Sequence, residues 1–65
     1  MTRPLTGRQQ QIMDALLDGA SNRVIAERLG LCEQTVKNQL TRIYRKLGVA
    51  GRLQLVMAGL KQRAT

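Results

Sequence analysis

Residues Ser21–Leu47 read SNRVIAERLGLCEQTVKNQLTRIYRKL, and this stretch decides the fold. Counting from Asn22, Ala26, Gly30 and Val36 stand at the fifth, ninth and fifteenth positions. Each place has a physical demand. A small residue at 26 lets a second helix cross close to the first. A glycine at 30 takes positive φ and turns the chain within about three residues. An apolar residue at 36 pins the second helix to a core. Ser21 offers an N-cap oxygen to the first of these helices, which turns Ile25, Ala26 and Leu29 inward. The second runs from about Glu33 to Leu47, where Gly48 stops it. The pattern is two helices joined by a tight turn.

Projected at about 100° per residue, the second helix separates cleanly into two faces. Val36, Leu40, Ile43 and Leu47 fall on one narrow stripe. Directly opposite lie Gln34, Asn38, Thr41 and Arg45, with Lys37 and Arg42 on the flanks. That outer face holds cations, amides and a hydroxyl, and no acid. A helix face that is merely solvated would carry Glu and Asp as well. The observed set is the chemistry that reads a DNA major groove: Arg or Lys for guanine, Asn or Gln for adenine, Thr for a base or a phosphate.

Working outward, Thr6 reads as an N-cap with Gln9 completing a capping box. Ile12, Met13, Leu16 and Leu17 follow at helical spacing, and Gly19 ends a helix of about 7–18. A last helix runs from about Gly51 to Arg63, weakened by Gly59. Nothing reads as a strand, and Pro4 lies outside every helix. The fold class is therefore all-α, with four short helices and tight turns. A chain of 65 residues is one domain. Its expected extent is 5–62, with tails at 1–4 and 63–65.

Composition narrows the function. The chain has 11 Lys and Arg against 4 Asp and Glu, and no His. Residues 1–33 hold four arginines and all four acids, so they sum to zero. Residues 34–65 hold Lys37, Arg42, Arg45, Lys46, Arg52, Lys61 and Arg63 with no acid, so the net +7 lies there. A half-chain so charged points to a polyanionic partner. One Cys and no His provide neither an internal disulfide nor a zinc site, and no cofactor is implied. Four scattered acids, Asp14, Asp18, Glu27 and Glu33, do not assemble a catalytic constellation. No apolar run approaches the roughly 18 residues of a membrane span, and no charged, apolar and small-residue pattern marks a signal peptide. The expectation is a non-enzymatic intracellular module. Its charge suits nucleic acid or an anionic membrane surface, and the outer face of the second helix favours nucleic acid, so no membrane partner is expected.

At three places the residues resemble the LuxR/GerE-type helix-turn-helix of bacterial transcription regulators. These are L-T-G-R-Q (5–9), S-N-R-V-I-A-E-R-L-G-L (21–31) and T-V-K-N-Q-L-T-R-I-Y-R-K-L-G-V (35–49), with G-R-L-Q (51–54) continuing the match. The resemblance covers about residues 5–60. It implies a four-helix domain whose third helix enters the major groove with Lys37, Asn38 and Thr41 facing bases. Gln34 shares that face. Asn22, Thr35, Arg45 and Lys46 then approach phosphates, and Arg42 can serve either role. The fourth helix of such domains often contributes to a dimer. Here Leu53, Val56, Met57 and Leu60 are expected to face the core, leaving Leu55 and Ala58 for a partner helix.

The chain departs from the family's usual pattern at four positions. Gln9 replaces the Glu that usually follows the first Arg, which keeps the cap and drops the charge. Val24 stands where Glu is common, so the second helix lacks a capping box. Gln39 replaces a frequent His. Cys32 replaces the usual Ser cap and is a poor cap, although a thiol among cations at a helix start can act as an oxidisable switch. These departures leave the preferred DNA sequence open.

The expected protein is a sequence-specific DNA-binding regulator of the bacterial cytoplasm, bound to double-stranded DNA as a homodimer on half-sites about one helical turn apart. Met1 immediately before the domain suits a stand-alone regulator, and the effector domain of a larger regulator would read the same way. Two rivals share some of these features. One is a module similar to region 4 of primary sigma factors, for which RNA polymerase is the further partner. The other is an interaction module that pairs with a larger regulator and inhibits it, for which the cationic outer face has no use.

Overall fold

Side-chain oxygens set where the helices begin. In the computed structural model, which describes residues 5–63, Thr6 Oγ1 accepts from the Gln9 N–H and Gln9 Oε1 accepts from the Thr6 N–H, both at 3.2 Å. This reciprocal box opens α1, Gly7–Leu17. Ser21 Oγ accepts from the Val24 N–H at 3.2 Å and opens α2, Asn22–Leu29. Cys32 is the N-cap of α3, Glu33–Leu47, and makes no side-chain bond there. The last helix, α4, spans Arg52–Arg63, so it takes in the first residue expected as tail. Residues 1–4 and 64–65 lie outside the described residues. No strand occurs among the described residues.

Tight turns follow from the helix ends. Gly30 has φ 68° and ψ 36°, a left-handed conformation that L side chains adopt only with strain. The Leu31 N–H then reaches back to the Ala26 carbonyl at 2.8 Å. The same bond closes α3, from the Val49 N–H to the Tyr44 carbonyl at 3.0 Å. Both turns leave the next helix free to fold back over the same core.

That core is aliphatic. Ile12, Ile25, Val36, Ile43 and Leu55 are fully buried, with Met13, Ala15, Leu16, Ala20, Ala26 and Leu40 completing it. Burying each large side chain contributes about 1.5–3 kcal/mol, which is what holds four helices too short to persist alone. Val36, Leu40 and Ile43 come from the predicted inner stripe of α3, so the rotation of that helix is as its sequence implies.

The rotation of α4 is not. Leu55 is wholly buried, while Leu53, Met57 and Leu60 are 74%, 63% and 49% exposed. The face expected inward therefore points outward in large part, and Leu55 is unavailable to a partner helix. Ala58 is half-buried, and Val56 is half-buried against the core as expected. The cause is Gly59. A Cβ built there would lie 2.6 Å from Met13 Cε and 2.8 and 2.9 Å from the two Leu17 Cδ atoms. So α4 meets α1 at its glycine, and Leu55, one turn earlier, is carried into the core.

Candidate nucleic-acid interface

The fifteen residues of α3 extend about 22 Å and present one continuous outer face. Gln34, Thr35, Lys37, Asn38, Thr41, Arg42 and Arg45 are all exposed. The sequence-predicted base and phosphate residues of this helix thus stand together, with the exception of Lys46. Gln34 Nε2 donates to Asn38 Oδ1 at 3.0 Å, which orders two amides one turn apart. Thr41 Oγ1 donates to the Lys37 carbonyl at 3.1 Å, tying the hydroxyl to its own helix while its lone pairs stay available. Among the described residues, Lys37, Arg42 and Arg45 have no carboxylate partner; the ion pair that does form is Arg23–Glu27 at 3.2 Å on α2. The face is therefore rich in donors and in unmatched positive charge.

Beside this face lies a groove of about 410 Å³, lined by Asn22, Lys37, Asn38, Thr41, Tyr44 and Arg52. It brings Asn22, the phosphate residue expected from α2, alongside α3. It also holds a residue that sequence reasoning left out of the site. Arg52 Nη1 donates to Asn22 Oδ1 at 2.7 Å and Nη2 to the Ala20 carbonyl at 2.9 Å. One guanidinium thus joins the start of α4 to the corner before α2. A signal for it was present: a cation in the first turn of a helix opposes the helix dipole, so its place there has another reason.

The opposite flank of α3 faces α1. Lys46 is half-buried, and its Nζ donates to Gln9 Oε1 at 2.8 Å. Gln39, also half-buried, accepts from Gln9 Nε2 at 3.1 Å. Lys46 is thus held against α1, whereas Arg45 beside it is free in solvent. Along α4, Leu53, Met57 and Leu60 form an exposed apolar strip at spacings of four and three. No described helix is long and apolar enough to cross a membrane.

The four-helix fold has counterparts among known proteins. The family described as bacterial regulatory proteins, luxR family (GerE), matches residues 3–58. The chain is 40% identical over 57 residues to the transcriptional regulatory protein DegU of Brevibacillus brevis, covering 88% of this chain and 24% of that protein. It is 40% identical over 55 residues to the HTH-type transcriptional regulator MalT of Yersinia pestis, covering 85% of this chain and 6% of that one. The chain therefore spans a quarter or less of these curated relatives. A solved structure of the transcription factor GerE superimposes with a TM-score of 0.81 at 36% identity, covering 92% of this chain and 91% of GerE.

Proposed function

The chain belongs to the luxR family of bacterial regulatory proteins and is a DNA-binding transcriptional regulator domain, and from that premise we propose how it meets its operator. Helix α3 lies in the major groove with Lys37, Asn38 and Thr41 toward base edges. Gln34 orders Asn38, and Arg42 reaches a base or a phosphate. Asn38 suits adenine and Lys37 suits guanine. Thr35, Arg45 and Lys46 meet phosphates from α3, and Asn22, braced by Arg52, meets one from α2. Phosphate contacts supply affinity, and base contacts supply sequence preference. The observation that carries this reading is the exposed outer face of α3, whose three cations lack carboxylate partners among the described residues.

A single small module reads few base pairs, so two copies are needed. Leu53, Met57 and Leu60 are the surface through which α4 pairs with α4 of a second copy, in place of the Leu55 and Ala58 surface. The pair docks on half-sites about one helical turn apart. Its place of action is the bacterial cytoplasm, on the chromosome. The test is selection from a random-sequence duplex pool at about 0.15 M salt, near physiological ionic strength. A two-fold symmetric motif with that spacing is expected. Recovery of no motif, with binding that vanishes as salt rises, would mean that the charge acts without sequence reading.

A further inference from the structure

Gln9 is 4% exposed and is the buried polar side chain among the described residues. Its amide does more than cap α1. Oε1 accepts from the Thr6 N–H at 3.2 Å and from the Lys46 ammonium at 2.8 Å, while Nε2 donates to Gln39 Oε1 at 3.1 Å. The orientation of the amide follows from these partners, since a backbone N–H and an ammonium both require an acceptor. Gln39 and Lys46 are seven residues apart, two turns on one flank of α3. A residue that served only as a local cap would resemble Ser21, which is exposed and bonds only within its own turn. Gln9 instead ties the start of α1 to the recognition helix at two points.

The acceptor offered to Lys46 is neutral. The contact fixes where the ammonium sits and cancels none of its charge. Projected around α3, Lys46 shares its flank with Thr35 and Arg42, eleven and four residues before it. It is half-buried rather than sealed from the surface. We propose that Gln9 is a positioning residue for DNA binding: it holds Lys46 on a phosphate-facing flank of α3 and leaves a full unit of charge for a phosphate. A carboxylate at position 9 would hold the same ammonium in a charge-assisted bond and neutralise it inside the protein. Charge at residue 9 thus sets how many phosphates the domain engages. This inference rests on the DNA reading given above.

The test is the salt dependence of binding to a mixed-sequence duplex, since phosphate contacts carry no sequence requirement. Wild type, Gln9→Glu and Lys46→Gln are compared, with thermal melting to confirm folding. Each variant is expected to lower the slope of log K against log salt by about 0.9, equivalent to about fivefold weaker binding near 0.15 M. A merely structural role for Gln9 would move the melting temperature or the affinity and leave the slope alone. A folded Gln9→Glu with the wild-type slope overturns the proposal. If that variant fails to fold, Lys46→Gln decides: an unchanged slope overturns the proposal, and a reduced one supports it. Wild type that binds without salt dependence defeats the DNA reading itself, a different failure from that of either variant.

Discussion

Cys32 occupies the N-cap of α3 and gives the backbone no bond, whereas Thr6 and Ser21 each accept one at 3.2 Å. Helix α3 thus starts without the side-chain cap that opens α1 and α2. Cys32→Ser is expected to raise stability by about 1 kcal/mol, read as a higher urea midpoint with unchanged slope. An unchanged midpoint would show that water already satisfies that end. At this scale the sequence was largely legible, because a cap and its partner lie within one turn of each other. Thr6 with Gln9, Ser21, and the glycines at 30 and 48 all act as their local pattern implies. The second role of Gln9 was not legible. Lys46 is 37 residues away, and no local spacing records that contact.

Elements differ in how much their sequence reveals of their rotation. In α3 the two faces are chemically distinct, so the aliphatic stripe of Val36, Leu40 and Ile43 could only face inward. In α4 apolar residues occur all round, at 53, 55, 56, 57, 58 and 60, and counting large side chains picked the wrong face. Packing is decided there by the smallest residue, Gly59, which lets the helix settle on Met13 and Leu17. A matched pair of substitutions checks this. Leu55→Ala is expected to cost about 2–5 kcal/mol, enough to leave much of a domain this small unfolded. Leu53→Ala is expected to stay within about 0.5 kcal/mol, as for exposed sites generally. Denaturant titration of both variants distinguishes the rotations, and the reverse order would restore the one that the sequence suggested.

At the scale of the whole molecule, the unmatched positive charge on α3 and the exposed apolar strip on α4 are the two surfaces proposed as a DNA side and a pairing side. The sequence located the charge correctly, in residues 34–65, but left Arg52 out of the site because its partners belong to the corner before α2. The pairing side makes its own prediction. Met57→Glu places a charge on an exposed position, so the fold should survive while pairing fails. On a duplex with one half-site, binding should fall little; on a duplex with two, the added affinity from pairing should disappear. Equal loss on both would mean that α4 takes no part in assembly. The central claim is that the outer face of α3 reads bases, and Asn38 is its most telling residue. The most direct measurement compares wild type with Asn38→Ala on a set of duplexes that differ from the selected site by one base pair each. The expected result is loss of preference at a single base pair, worth about 1–3 kcal/mol, with an unchanged salt slope. A uniform loss across every duplex would contradict it, since Asn38 would then be touching the backbone and the helix would not be reading sequence there.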